Sequence, residues 1–192
     1  MRSDIEFLAL RLHYNEEPKL LEQKIGEFCC TRDTDVERFL KRDAIRFESE
    51  GYGRTYLYTI YENGIARIVA FFTVAITSTD FRDVSKSRKR NILHSKPGRD
   101  SQDFFGGILV GQLGRADDFS ATDINGQEML KDAETIIGMG REHIGGKIIY
   151  IDCKAPLISV YQESGYNLVK EEPFANGNYK MFKILPEIFK LP

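Results

Sequence analysis

Long apolar runs are missing from this 192-residue chain. No stretch approaches the roughly 18–20 consecutive apolar residues that a membrane-spanning helix needs. The first residues are Met1-Arg2-Ser3-Asp4, and the apolar stretch after them is broken by Glu6 and Arg11. That stretch has neither the clean apolar segment nor the small-residue cleavage site of a secretory signal, so a cytoplasmic protein with no membrane contact is expected. Cysteine is scarce. Of the three, Cys29 and Cys30 are neighbours, whose bridging would close a strained small ring, and Cys153 stands alone. No Cys-x-x-Cys or histidine spacing suits zinc, so neither a disulfide framework nor a metal centre is expected. The group Asp117, Asp118 and Asp123 lacks calcium-loop spacing. Net charge is also low, at −2. Attraction to nucleic acid must therefore come from local patches rather than a global field. What is present is 42% hydrophobic and 29% charged residues, the balance of a folded core. The length fits one domain over 1–192.

Periodicity divides the chain into alternating strands and helices. Ile5–Tyr14 reads as an opening strand. Pro18 starts a short helix over Lys19–Ile25, closed by Gly26. After a capping cluster at Thr31–Asp35, apolar residues at Val36, Phe39, Leu40, Ala44 and Phe47 recur at helical spacing, and Gly51 ends that helix. Arg54–Tyr61 and Ile65–Thr77 read as a hairpin joined by Glu62-Asn63-Gly64. Thr79–Gln102 is polar and basic, a long surface loop or one short element within a loop. Then come a strand at Gly106–Gly114, a loop at Arg115–Thr122 and a helix from Asp123 or Ile124. A strand at Lys147–Cys153 precedes a short proline-containing helix to Tyr161. Strands follow at Tyr166–Val169 and Tyr179–Leu185, separated by a turn at Asn176-Gly177, and 186–192 is a tail.

The most telling segment is Tyr161-Gln162-Glu163-Ser164-Gly165-Tyr166, placed after a buried strand. It resembles the last conserved block, Tyr-x-x-x-Gly-Phe/Tyr, of the Gcn5-related N-acetyltransferase superfamily. Phe28-Cys29-Cys30, Asp35-Val36, Phe39-Leu40, Asp43-Ala44 and Arg54-Thr55-Tyr56-Leu57 are similar to the N-terminal block of its toxin-like branch. Ile68–Val74 is similar to that branch's next strand. The resemblance covers most of residues 5–185. It implies an α/β (α+β) fold with a mixed, mostly antiparallel twisted sheet, splayed between its fourth and fifth strands, with helices on both faces.

The resemblance also implies a reaction. An acetyl group would pass from acetyl-CoA to a primary amine by direct attack, with Tyr161 protonating the departing thiolate. Gln112, Leu113, Gly114 and Arg115 would pair their backbone with the pantetheine arm. The pyrophosphate would sit at a helix N-terminus, where amides and the helix dipole hold an anion; here that stretch holds Thr122, Ile124, Asn125 and Gly126. The family pattern there, Gln/Arg-x-x-Gly-x-Gly/Ala, is kept only at Gly126. Its basic or amide residue is absent, and Asp117, Asp118 and Asp123 add negative charge. The stretch reads either as a divergent acetyl-CoA site, as a weak site or one for another acyl-CoA, or as a site lost from a non-catalytic partner-binding domain. As structure alone, Thr122 with Gln127 or Glu128 makes a capping-box helix start, Gly111 and Gly114 mark a bulge or bend, and Tyr161 packs at a helix end. Candidate bases, by residue type only, are His94, Glu48 and Glu50. The basic residues of 86–99 form a solvated face, or in the toxin-like branch meet the phosphates of an aminoacyl-tRNA. The Phe104-Phe105 pair belongs to a core or an interface. The resemblance further implies a homodimer.

Overall fold

The computed structural model describes residues 4–62, 65–94 and 96–186. In chain order the elements are β1 (Glu6–Ala9), α1 (Leu10–Glu16), α2 (Pro18–Glu27), α3 (Thr34–Arg42), α4 (Ala44–Glu50), β2 (Arg54–Glu62) and β3 (Ile65–Asp80). They continue with α5 (Lys86–Leu93), β4 (Phe104–Arg115), α6 (Gly126–Ile144) and β5 (Ile148–Cys153). A 3-10 turn (Ala155–Leu157) then leads to α7 (Ile158–Glu163), β6 (Asn167–Leu168) and β7 (Tyr179–Ile184). The seven strands form one sheet in the order β1-β2-β3-β4-β5-β7-β6. β1–β2, β2–β3, β5–β7 and β6–β7 are antiparallel, and β4–β5 is parallel. The β4–β5 register covers only Ile108–Val110 against Ile149–Ile151. β4 therefore runs on past its parallel partner, the splay that the resemblance implies. Among the described residues no helix is long and apolar enough to cross a membrane.

Two compact units make up the chain: 1–75 with 111–136, and 76–110 with 137–192. In the first, β2 and β3 alternate strongly β-forming residues and bury Leu57, Ile60, Val69, Phe71 and Phe72. Phe7 stacks 5.6 Å from Tyr56 and 5.7 Å from Phe72, tying β1 to the hairpin. The fully buried Tyr58 donates its hydroxyl to Asp132 Oδ2 on α6 at 2.7 Å, so its polar end is satisfied where water is excluded. α3 starts at Asp33, whose carboxylate accepts the Asp35 and Val36 amides; acids in its first turn and bases in its last suit the helix dipole.

In the second unit, Phe81, Val84, Ile92, Leu93, Phe105, Tyr150, Val169 and Phe182 form one buried cluster. Ile92 and Leu93 bring the basic α5 onto it, and Ser85 caps that helix by accepting the Arg88 amide at 3.2 Å. The stretch 79–102 is thus a docked helix within connecting loops, and Thr79 and Asp80 still belong to β3.

Several expected boundaries are corrected. Ile5–Tyr14 is a strand only to Ala9, and the chain turns helical at Leu10, which is buried. Gly26 does not close α2, which continues to Glu27. The single helix expected through Phe47 is two, broken at Asp43. Asp43 lies at φ −115°, ψ −28°, and its carbonyl accepts the Phe47 amide at 2.8 Å, which starts the second helix directly after the first. The strand at Tyr166–Val169 is only two residues long. Asn63 and Gly64 of the expected hairpin turn, and 187–192 of the expected tail, lie outside the described residues.

Burial raises the pKa of Tyr58 and Tyr150, and that of Tyr161 to about 12. Unfolded tyrosines release their protons near ~10, so the folded chain holds protons that the unfolded chain gives up. The stability this contributes is complete below about pH 10 and is lost as pH rises through the raised values. Urea midpoints should begin to fall above about pH 8.5, where the unfolded Cys30 and Cys153 thiols ionise, and fall further above about 10, that second fall being less steep in Tyr58→Phe. Equal alkaline slopes for the two proteins would contradict this.

Candidate functional site

Beyond Val110 the C-terminal part of β4 runs past its register with β5. Gln112 donates its amide to Thr73 Oγ1 at 2.9 Å, and just after the strand Ala116 donates to the Val69 carbonyl at 2.8 Å. A Cβ added at Gly114 would lie 2.4 Å from Val36 Cγ1 and 2.9 Å from the Phe71 ring. Gly114 therefore marks close approach of α3 and β3 to the strand rather than a bend.

Each aspartate of the following loop is already engaged. Asp117 accepts the Thr31 amide at 2.8 Å and lies 3.3 Å from Arg32 Nε. Arg32 Nη2 donates to the Arg115 and Ala116 carbonyls at 2.8 and 2.9 Å, stapling the α2–α3 loop to the end of β4. The Thr31 bonds and the Arg32 charge hold the Asp117 carboxyl below its usual range. Asp118 is paired with Arg67. Asp123 Oδ2 accepts the Ser120 amide at 2.9 Å and its hydroxyl at 2.6 Å, and Ser120 Oγ meets Thr122 Oγ1 at 2.6 Å.

These bonds delay the helix. α6 begins at Gly126, not at Asp123 or Ile124. Its cap is Asn125, whose Oδ1 accepts the Gln127 amide at 2.8 Å and whose carbonyl accepts the Met129 amide at 3.1 Å. Thr122 contributes to the preceding turn instead of the expected capping box. The positive end of a 19-residue helix is thereby set at Asn125–Gln127. Arg115 reaches the same place from β4: its Nη1 donates to the Ile124 carbonyl at 2.7 Å, while its Nε is buried without a partner.

Gln112, Leu113, Gly114, Arg115, Thr122, Ile124, Asn125 and Gly126 all belong to the first unit, and the Arg115–Ile124 bond joins the strand end to the loop. Tyr161 belongs to the second, on α7. The motif around it is a helix stop. Gly165 sits at φ +86°, its amide bonds the Gln162 carbonyl at 2.9 Å, and the Tyr166 amide bonds the Tyr161 carbonyl at 3.0 Å. This is a Schellman termination, and it accounts for the glycine fully. The Tyr161 and Tyr166 rings meet edge to face at 6.2 Å. Burial, with Cys153 adding to it, keeps the Tyr161 phenol protonated to about pH 12. Cys153 is itself buried, and burial lifts its thiol to about 11.

Of the candidate bases, Glu48 is buried. It accepts the Thr55 amide at 2.8 Å and lies 3.4 Å from Arg54, pinning the start of β2. Glu50 and His94 are exposed. In the basic stretch, Arg88, Lys89 and Arg99 donate to the Leu168, Gln102 and His94 carbonyls, while Lys86, Arg90 and Lys96 are exposed. Phe105 is core, and Phe104 is exposed beneath the Arg82 guanidinium at 5.4 Å. Sequence spacing carried no sign of the Arg32–Asp117 staple or the Arg115–Ile124 bond, since both depend on the folded chain.

No protein-family model matches the chain. No curated protein matches it either. Solved structures do. A tyrosine-to-phenylalanine mutant of KacT has TM-score 0.68 at 13% identity, covering 95% of each chain. AtaT complexed with acetyl-methionyl-tRNAfMet has TM-score 0.65 at 13% identity, covering 94% of this chain and 95% of that one. AtaTR bound with acetyl-CoA has TM-score 0.63 at 13% identity, covering 95% and 94%.

The two glycines at this site should respond differently to a methyl group. Gly114→Ala must displace Val36 or Phe71 and should cost about 1–3 kcal/mol, lowering the melting temperature by roughly 2–4 °C per kcal/mol. At Gly126 the nearest atom to an added Cβ is 4.0 Å away, so Gly126→Ala should melt within about 2 °C of the parent. Equal melting of the two variants would refute the close approach at Gly114. Beyond these local contacts, strand order and the likeness to KacT and AtaT agree: the chain shares the fold of those two proteins.

Proposed function

We propose that this protein transfers an acetyl group from acetyl-CoA to a primary amine. The observation that carries the reading is the state of the loop after β4. Two of its three aspartates are paired with Arg32 and Arg67, and the third, Asp123, is turned onto Ser120 with Arg115 feeling its charge, so together they oppose an anion at the start of α6 less than three free carboxylates would. The run of β4 past its parallel partner supports the same reading, as does the fold shared with a protein solved with acetyl-CoA bound.

In the proposed reaction, an amine nitrogen attacks the thioester carbonyl as strand amides on the Leu113 side of β4 polarise its oxygen. The carbon–sulfur bond then breaks, and Tyr161 gives its proton to the sulfur. The proton lost from nitrogen goes to solvent. Tyr161 is protonated across the working pH range. Its raised pKa makes it a weak acid against a thiol of about 8.5 in water, so transfer must be concerted with departure into a dry site, where the thiolate is also more basic. A low-pKa amine such as an aminoacyl ester would need no strong base, and rate would come from positioning. The AtaT complex with a charged tRNA makes aminoacyl-tRNA the first acceptor to try, with the exposed Lys86, Arg90 and Lys96 to meet phosphate, Arg90 giving up its 3.9 Å approach to Asp100.

One observation favours a non-catalytic binding module instead: the Asn125 side chain already holds the Gln127 amide, one of the donors an incoming anion would use. Turnover separates the readings. Tyr161→Phe should lower kcat by roughly 100-fold and leave acetyl-CoA affinity within about twofold. Unchanged kcat would remove Tyr161 from the chemistry, and absence of transfer by the parent protein to any amine would favour the binding module.

A further inference from the structure

Three arginines lie near the loop after β4, and two are committed. Arg32 is held by Asp117 and two carbonyls. Arg67 is paired with Asp118 and faces Glu62 at 3.7 Å. Arg115 differs: its hydrogen-bond partner is the neutral Ile124 carbonyl, immediately before the cap of α6. Burial and the neighbouring Arg32 both disfavour its charge, and Asp123 offsets them only in part. Its Nε is buried with no acceptor. A guanidinium placed beside a helix N-terminus, under-compensated and with an unmade hydrogen bond, is relieved by an anion. Its flat fork suits two oxygens of a phosphate better than a point charge would.

We infer that the Arg115 side chain, reaching in from β4, replaces the basic residue missing from the loop and grips the diphosphate of the coenzyme. The inference rests on the acyl-coenzyme reading of this site. The pantetheine arm is much longer than an arginine side chain, so with the diphosphate at the Arg115 guanidinium the thioester meets strand amides on the Leu113 side rather than that of Arg115 itself. Arg115 sets the preference for the full nucleotide coenzyme over its pantetheine fragment.

The test compares coenzyme A with pantetheine on the parent protein, Arg115→Met and Arg115→Lys, using calorimetry for tight binding and ligand-observed NMR for weak. Arg115→Met keeps the strand amide and removes the charge. It should weaken coenzyme A by about 10- to 100-fold, the range for a lost charge-assisted hydrogen bond, and leave pantetheine within about twofold. Arg115→Lys should fall between the two. Circular dichroism and melting identify a variant that has lost its fold, in which case Arg115→Lys alone decides, by whether its coenzyme A affinity drops while pantetheine binding holds. Equal weakening of both ligands would make Arg115 a structural tie to Ile124. Unaltered coenzyme A binding would overturn the inference alone, whereas a parent protein that binds neither ligand would overturn the coenzyme reading with it.

Discussion

The Asp117 carboxylate, bonded to the Thr31 amide and lying 3.3 Å from Arg32, is the interaction on which the candidate site depends. It joins the α2–α3 loop to the turn after β4 across 86 positions of sequence. A free aspartate there would repel a diphosphate. Bound in this way, its charge is spent on Arg32, and Arg32 in turn fixes the Arg115 and Ala116 carbonyls. The strand end, the loop and the first turn of α6 are thereby held as one arrangement. Asp118 is spent in the same way on Arg67, whereas Asp123, bonded to the neutral Ser120, keeps its charge and faces Arg115.

Electrostatics and burial divide the proposed chemistry. At the start of α6 the aligned amides and Arg115 supply positive potential without a lysine or arginine in the loop itself. At the half-buried Tyr161 desolvation keeps a proton in place, and a donor partly shielded from water suits a leaving group that also departs into low dielectric. The Schellman stop at Gly165 fixes the end of α7 and so the position of Tyr161 along it. The motif is thus first a piece of chain architecture, onto which a proton-transfer role is proposed.

Much of the fold was legible in sequence because its signals are local. β2 and β3 are rich in β-branched and aromatic residues, and α3 follows its apolar spacing. Leu8, Leu10, Leu12 and Tyr14 alternate as a strand would, yet tertiary burial of Leu10 draws the chain into a helix there. The break at Asp43 was hidden because the apolar spacing runs on across it, and Phe39 and Phe47 still meet at 5.4 Å. The start of α6 was misplaced because Asp123, a good capping residue, caps the Ser120 turn instead. The site was legible as a segment, but its charge balance was not. From sequence three aspartates and no basic or amide residue at the start of the motif suggested a damaged loop; folding brings Arg32 and Arg67 to it and turns the Arg115 side chain onto the Ile124 carbonyl.

The central claim is that this unusual loop still receives acetyl-CoA. Amide NMR of the labelled protein during titration with acetyl-CoA tests it most directly. The account predicts saturable shifts concentrated at Leu113–Arg115 and Asn125–Gln127, with a further change at Tyr161. Shifts scattered over the surface, or none at millimolar ligand, would contradict it.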